Sequence, residues 1–193
     1  METAASSTTA ARPAASAAEP VRYTIDPVHA TAQFRVRHLM VANVRGELGE
    51  VTGELVFDPE DPSRSTLSAR IDATGIDTRN PDRDTHLRSA DFLDVANHPA
   101  ITFRSTAVHP SGAGEYQVDG ELTIRGTTRP VTLAAEVSDE IKDPWGNVKR
   151  GVLATARLDR KAWGLTWNAV MESGGIVVGD TVEVTIEAEL VRA

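Results

Sequence analysis

The chain has 193 residues, which suits one domain with a tail, and its 40% hydrophobic and 25% charged residues are ordinary for a globular protein. A formal net charge of −8 disfavours sequence-independent nucleic-acid binding and docking on an anionic membrane surface, because both need a basic face. The absence of cysteine excludes disulfide bonds and thiolate zinc sites.

Residues 1–20 form a segment rich in Ala, Ser and Thr that contains no Leu, Ile, Val or Phe. An export signal needs a basic start followed by an aliphatic core, whereas here Glu2 precedes the first basic residue, Arg12. We therefore expect a disordered tail at 1–20, one folded domain at 21–193 and a cytoplasmic protein. No apolar run approaches the roughly 18 residues of a membrane span, so no stable membrane insertion is expected.

Apolar and polar residues alternate with period two from Val21 onward, as in strands that bury one face. A short strand around Tyr23 and Ile25 ends at Asp26-Pro27. Later strands are predicted at residues 32–40, 51–57, 67–73, 101–107, 116–124, 131–137, 152–158 and 182–190. About eight strands joined by short turns pair antiparallel, and they bury their apolar faces in a two-sheet sandwich or a barrel. Strand number and length favour an all-β, eight-stranded antiparallel up-and-down barrel with a short helical insert.

The insert is the polar segment Gly75–Pro99, which interrupts the strands and carries helix-start signals. Asn80 can cap a helix that has Pro81 at its first position, and Ser89 can cap a second short turn. The segment is either a structured connection or the lid of whatever the strands enclose. Its apolar anchors and its polar lock are expected to be Leu87, Phe92, Arg83, Asp84 and His86.

The inward positions of the predicted strands hold many Gly and Ala residues, which reflect either a hollow interior or an alanine-rich composition. A hollow interior would suit an apolar ligand, and a barrel roughly 25 Å tall would suit a long chain. The larger inward residues are the candidate ligand contacts: Phe34, Val36, Leu55, Phe57, Ile71, Phe103, Leu122, Ile124 and Leu133.

One histidine and two tryptophans are further candidates for ligand contact. His38 shares the inward phase of Phe34, so it is either hydrogen-bonded in the core or in contact with a ligand headgroup. Trp163 and Trp167 flank a glycine-containing break, where they either plug one barrel end or stack on a ligand.

The densest polar cluster lies in the insert and has three interpretations. Arg83, Asp84 and His86 fix the insert through hydrogen bonds and ion pairs, or Arg83 or Arg88 clamps an anionic headgroup. Alternatively, Asp84, His86 or His38 acts as an acid or base. No nucleophile with an evident base and no cofactor fingerprint accompanies the cluster, so we expect neither catalytic residues nor a cofactor. The insert adds three candidate ligand contacts: Arg83, His86 and Phe92.

The histidines at positions 29, 38, 86, 98 and 109 follow no spacing typical of metal ligands. A metal site would need three or more ligands that converge on one point. We therefore expect no metal, and we expect Asp26 and His29 to form a turn with hydrogen bonds from side chain to backbone.

A set of short motifs runs in order through the predicted barrel. They include Tyr23-Thr24-Ile25-Asp26, Phe34-Arg35-Val36-Arg37-His38, Arg83-Asp84-Thr85-His86-Leu87, Asp91-Phe92-Leu93-Asp94, His98-Pro99-Ala100-Ile101-Thr102-Phe103, Gly120-Glu121-Leu122-Thr123-Ile124-Arg125-Gly126 and Arg160-Lys161-Ala162-Trp163-Gly164-Leu165. Together they resemble the YceI-like polyisoprenoid-binding family over about residues 21–193. Ala30 departs from the family's usual serine, and Trp163 stands where phenylalanine is common.

The resemblance implies a lipocalin-like eight-stranded barrel that binds a long isoprenoid, such as a polyprenyl phosphate or a quinone tail, without catalysis. Carriage, storage or sequestration is then the expected role, and the resemblance also suggests a homodimer. Two alternatives stay open: an enzyme acting on a hydrophobic substrate, and a stress-related, partner-binding barrel with a filled interior. Many relatives are exported, whereas residues 1–20 do not predict an export signal.

Overall fold

A computed structural model describes residues 19–169 and 176–193, so the tail expected at 1–20 lies almost wholly outside the described residues. The strands in the described part are β1 (Val21–His38), β2 (Ala42–Glu47), β3 (Val51–Phe57), β4 (Thr66–Asp72), β5 (Ala100–Gly112), β6 (Glu115–Ile124), β7 (Thr127–Val137), β8 (Ile141–Lys142), β9 (Val148–Asp159) and β10 (Val178–Arg192). One helix, α1, spans Pro81–Arg88, and single 3-10 turns lie at Pro62–Arg64 and Arg160–Trp163.

Eight of these strands form a closed antiparallel barrel. In the order β1, β3, β4, β5, β6, β7, β9 and β10, each strand pairs with the next, and β10 closes the ring on β1. β2 pairs with the second half of β1, and β8 pairs with β9 outside the ring. The all-β, up-and-down, eight-stranded barrel with a short helical insert, predicted from the sequence, is therefore confirmed.

The first strand differs from the prediction because Asp26-Pro27 does not end it. The two predicted strands are one strand, β1, whose register against β10 shifts between Ile25 and Ala30. The Val28 N–H donates to the Asp26 carboxylate at 3.0 Å within this bulge, and Pro27 needs no ladder partner there. A proline that lies in a bulge bends a strand without terminating it.

The other end of β1 also differs from the prediction. β1 stops at His38 rather than Met40, and Leu39–Val41 turns the chain into β2. The strand β2 was not predicted. It returns along β1 with Phe34 opposite Gly46, where the Phe34 ring occupies the space that a β-carbon would need. Glycine at this position therefore lets an aromatic ring lie against the strand.

The helical insert follows the sequence signals closely. The Asn80 side-chain oxygen accepts from the Arg83 N–H at 3.1 Å, Pro81 is the first residue of α1, and Ser89 ends the helix. The second short turn is not helical, although its Ser89 hydroxyl accepts from the Asp91 N–H at 3.3 Å as a cap would. Within the described ranges no helix has the length and apolar content needed to cross a bilayer.

The two ends of the barrel are covered differently. The insert end, where β1 finishes, is covered by α1, the turn after it and the 3-10 turn Arg160–Trp163, which bury Ile76, Leu93 and Trp163. The far end, where β1 begins, buries Tyr23 and Leu190 together with Leu55 and Phe57. A middle cluster connects them, formed by Phe103, Val108, Val118, Leu133, Ala135 and Ala154.

Candidate ligand-binding site

The barrel interior contains two adjoining cavities. The far compartment, about 150 Å3, lies between the middle of the barrel and the far end, and the insert compartment, about 140 Å3, lies under the insert. Both are bordered by the same five aliphatic side chains, which we call the waist: Leu48, Ile101, Ile124, Leu158 and Val184. An apolar cavity of roughly 150 Å3 is large enough for a molecule the size of benzene. Each compartment therefore has room for about one five-carbon isoprene unit.

Most of the residues predicted from strand phase line these compartments. The far compartment is lined by Leu55, Phe57, Ile71, Phe103, Leu122, Ile124 and Leu133, and the insert compartment by Phe34, Val36, Ile124, Phe92 and Trp163. Small inward residues of the strands, such as Ala69, Ala135 and Ala156, also border the far compartment. The space exists because these positions carry no larger side chain. That these residues contact a ligand stays a prediction.

The polar residues of the insert hold its backbone in place. Arg83 donates through Nε to the Thr78 hydroxyl at 2.7 Å and through Nη2 to the Thr78 carbonyl at 2.8 Å. The buried Asp84 carboxylate accepts from the Thr78 N–H at 2.9 Å and from its hydroxyl. Arg88 donates to the carbonyls of Thr74, at 2.8 Å, and Ile76. These bonds agree with the expected roles of Arg83 and Asp84 in holding the insert and add Arg88 to them, and neither arginine lines a compartment.

His86 and Trp167 form an outer aromatic layer over the insert compartment. The His86 ring meets Phe92 and Trp167 edge to face, with centroid distances of 5.0 and 4.7 Å. Its Nε2 atom lies 2.9 Å from the Asp91 carboxylate. Phe92 lines the compartment, whereas His86, Trp167 and the half-buried His38 do not. The candidate acids and bases are therefore not among the residues that line the cavity.

Arg160 lines the insert compartment and was missed as an interior residue. Its side chain is only 4% exposed. Its guanidinium donates to the carbonyls of Gly179 at 2.9 Å, Trp167 at 2.9 Å, Val178 at 3.3 Å and Leu165, and reaches the Asp180 carboxylate at 3.5 Å.

The burial of Arg160 lowers the pKa of its guanidinium, against the opposing charges of Asp180 and Asp159. The sequence did hold a signal for this burial, because Arg160 continues the inward phase of Ala156 and Leu158 along β9.

A polar and aromatic plug covers the far end. The buried Tyr23 hydroxyl donates to the Glu140 carboxylate and accepts from Arg150 Nε at 3.1 Å. Burial and the Glu140 hydrogen bond raise the pKa of Tyr23. The Arg150 guanidinium lies 5.1 Å from the centre of the Phe57 ring, which packs edge to face on Tyr116. The plug satisfies the polar groups at this end without placing a charge in the far compartment.

One group of possible metal ligands lies on the outer surface, away from the cavity. Ligand atoms of Asp26, His29 and Glu189 lie within 4.8 Å of one another. The Lys149 ammonium, 2.7 Å from the Glu189 carboxylate, already supplies positive charge to the group. The hydrogen bond from His29 is the main cause that lowers the pKa of Asp26. We interpret the group as a set of surface ion pairs beside the β1 bulge.

Comparison with known proteins agrees with this geometry. The YceI-like domain family matches residues 23–190. A UPF0312 protein of Vibrio cholerae is 36% identical over 151 residues, covering 77% of this chain and 80% of that protein.

Two solved structures share the fold. BcnA of Burkholderia cenocepacia has a TM-score of 0.75 at 19% identity, covering 86% of this chain and 98% of that one. A polyisoprenoid binding domain from Saccharophagus degradans, implicated in plant cell wall breakdown, has a TM-score of 0.64 at 13% identity, covering 90% of this chain and 99% of that one. These structures show the shared fold, and the family match over residues 23–190 together with the 36% identical relative shows that this chain is a member of the YceI-like domain family.

Proposed function

We propose that the protein binds a long apolar lipid of the isoprenoid class inside its barrel. The observation that carries the proposal is the pair of adjoining compartments, whose linings are apolar except for Ser65, Tyr116 and Arg160. Ser65 accepts from the buried Asp58 N–H at 3.0 Å, so its hydroxyl oxygen is already engaged. The shared fold of the polyisoprenoid binding domain from Saccharophagus degradans supports the choice of ligand class.

The binding energy that the two compartments can supply favours a chain longer than two isoprene units. Burial of two units, ten carbons, contributes roughly 8 kcal/mol at about 0.8 kcal/mol per carbon. Association costs at least about 4 kcal/mol, so two units alone leave only weak binding. A chain that enters both compartments passes the waist. A longer chain gains affinity because its further units displace the aliphatic side chains of the waist and bury more apolar surface. Ile101, Ile124 and Val184 are held there by packing alone, so rotamer changes can part them.

The interior selects the chain rather than the headgroup. A guanidinium has five N–H donors, and those of Arg160 have acceptors in four backbone carbonyls and Asp180. Arg83 and Arg88 donate hydrogen bonds to backbone carbonyls of the insert. A phosphate or quinone headgroup therefore stays at the surface of the insert end, where water solvates it. The two compartments argue against a filled, partner-binding barrel, and the polar side chains that line them are Ser65, Tyr116 and Arg160, none of which is a carboxylate or an imidazole.

Carriage, storage or sequestration of the lipid is the role that we infer from such a site. Organic extraction of the purified protein, followed by mass spectrometry, should recover an isoprenoid in near-stoichiometric amount. If the protein is purified empty, added polyprenyl alcohol should change the tryptophan fluorescence saturably, because Trp163 lines the insert compartment. The proposal would be overturned if no lipid were recovered and the added alcohol showed no saturable binding.

A further inference from the structure

The turn between β1 and β2 exposes three consecutive apolar side chains. Leu39 is 37%, Met40 56% and Val41 76% exposed. The Val41 N–H donates to the His38 carbonyl at 3.1 Å, which closes the turn. Single water-exposed apolar residues are common on protein surfaces. Three consecutive ones at the end of a hairpin form a small protruding apolar surface. We call Leu39–Val41 the tip.

The backbone of the tip is fixed in an unfavourable conformation. Leu39 and Met40 have φ angles of +50° and +59°, a region that turns of this kind usually fill with Asn and Gly. The Leu39 N–H donates to the Val177 carbonyl at 2.8 Å, and Arg37 donates twice to the Met40 carbonyl, at 2.9 and 3.2 Å. These bonds hold the strained turn rigid, so the apolar side chains stay directed away from the barrel.

The hairpin that carries the tip is locally basic, although the whole chain has a net charge of −8. Residues 34–46 contain Arg35, Arg37 and Arg45 and no Asp or Glu. Arg35 pairs with Glu183, but Arg37 and Arg45 make no ion pair with a carboxylate of the described ranges. An apolar tip beside arginines that have no carboxylate partner complements a bilayer with anionic headgroups.

The tip also belongs to the insert end. Val36, three residues before Leu39, lines the insert compartment, and so does Val178, which follows the tip's partner Val177. We propose that the tip docks this end of the barrel on an anionic membrane surface, so that an isoprenoid passes between the bilayer and the interior. The choice of a bilayer as occupant rests on the proposed function, because the ligand of that function is a membrane lipid.

The test is co-sedimentation of the full chain with vesicles of phosphatidylglycerol and phosphatidylcholine, and with vesicles of phosphatidylcholine alone. The wild type should bind the anionic vesicles more strongly, and less so as salt is added. The double variant Met40→Asp, Val41→Asp should lose at least about tenfold in binding, since it removes two apolar contacts and adds two negative charges. Arg45→Gln should lose about fivefold, the equivalent of one cation near the surface.

Trp145→Asp is the matched control, because Trp145 is 84% exposed in the β8–β9 turn, at the opposite end of β9 from the insert end. It should bind vesicles as the wild type does. Equal loss in Trp145→Asp and the tip variant, or no vesicle binding by the wild type, would overturn the docking proposal. Selective binding of a protein partner through the tip, with none to vesicles, would overturn it as well.

Binding of polyprenyl alcohol in solution separates the two proposals. The tip variants should bind the alcohol with wild-type affinity, because none of their substituted residues lines a compartment. Loss of vesicle binding with retained alcohol binding supports docking through the tip. If every variant keeps both vesicle binding and alcohol binding, the docking proposal is overturned and the proposed lipid site is supported.

Discussion

Arg160 shows how one charged residue can be built into an apolar barrel. Removing a guanidinium from water costs several kcal/mol, and only complete hydrogen bonding offsets that cost. Here four carbonyls and one carboxylate supply the acceptors, and they belong to the segments that close the insert end. The side chain therefore ties the 3-10 turn to the start of β10, and its charge is a structural device rather than a ligand clamp.

Replacing Arg160 with Met should destabilise the protein by about 3 kcal/mol or more, because it leaves buried carbonyls without donors. Urea denaturation followed by circular dichroism measures the change. Arg157→Met is the control, since the Arg157 side chain lies on β9 three residues before Arg160, is 75% exposed and, within the described ranges, pairs only with Glu183, at 3.5 Å. Its effect should stay within about 0.5 kcal/mol. Similar losses in the two variants would contradict the structural role of Arg160.

Asp84 is the residue through which pH should act on the insert. Burial alone would raise the pKa of this carboxyl, but hydrogen bonds from Thr78 and the charges of Arg88 and Arg83 outweigh it and hold the pKa below its usual value. A depressed pKa means that the carboxylate stabilises the folded state at pH values above about 3.9, the ordinary pKa of an aspartate carboxyl. That stabilisation is lost as the pH falls through the lower, folded-state pKa.

Asp84→Asn should therefore be less stable than the wild type at neutral pH, by about 1–3 kcal/mol. The difference in stability should narrow as the pH falls from about 3.9, the ordinary pKa, to below the lower pKa of the folded state, where the wild-type carboxyl takes up its proton. Thermal unfolding at a series of pH values measures it. Asp82→Asn, an exposed carboxyl in the same helical turn, should show neither effect. A stability difference between the wild type and Asp84→Asn that stayed constant to the lowest pH measured would show that the ionised Asp84 carboxylate does not stabilise the insert.

At the scale of elements, the helical insert could be predicted and the strand irregularities could not. The start of α1 depends on residues that lie next to one another, Asn80 and Pro81, and local signals of this kind are visible in a sequence. The bulge at Asp26 and the early end of β1 at His38 depend on pairing with β10 and β2, more than a hundred residues away in the first case. Period-two alternation does not report such pairing.

From the strained backbone of the tip, we expect that a variant with a more stable fold binds anionic vesicles more weakly. Replacing Leu39 with Asn and Met40 with Gly supplies the residues that positive φ angles favour, so the protein should gain about 1–2 kcal/mol of stability. The same variant should bind anionic vesicles at least about fivefold more weakly, because it removes apolar contacts with the membrane.

Denaturation and vesicle co-sedimentation of the one preparation measure both effects. Thr166→Asn is a suitable control for a neutral polar substitution outside the tip, and it should change neither quantity. A tip variant that gained stability and kept full vesicle binding would show that the apolar side chains of the tip are not the docking surface.

At the scale of the whole molecule, strand count and phase were enough to predict a closed barrel and most of the lining. Phe34, Leu55 and Phe103 line the interior as their phase requires. Phase could not predict the division of that interior, because the waist depends on which side chains meet across the barrel. Net charge is equally uninformative about local surfaces, because a value of −8 averages over the molecule and conceals the basic hairpin at residues 34–46.

The hollow interior can be tested by enlarging each of two neighbouring alanines, Ala134 and Ala135, which lie on opposite faces of β7. Ala135 lines the far compartment, whereas Ala134 is exposed. Ala135→Leu adds three carbons to the space that one isoprene unit would fill. The variant should gain about 0.5–2 kcal/mol of stability as the cavity fills, and it should lose roughly 2 kcal/mol of binding free energy for polyprenyl alcohol.

That loss corresponds to about a thirtyfold rise in the dissociation constant, measured by tryptophan fluorescence titration. Ala134→Leu adds the same atoms to the outer face and should bind like the wild type. Ala135→Val, which adds two carbons, should lose less in the same direction, so overpacking by leucine can be recognised. Equal affinities in all three variants would mean that the lipid does not enter the far compartment, since only the Ala135 substitutions reduce its volume.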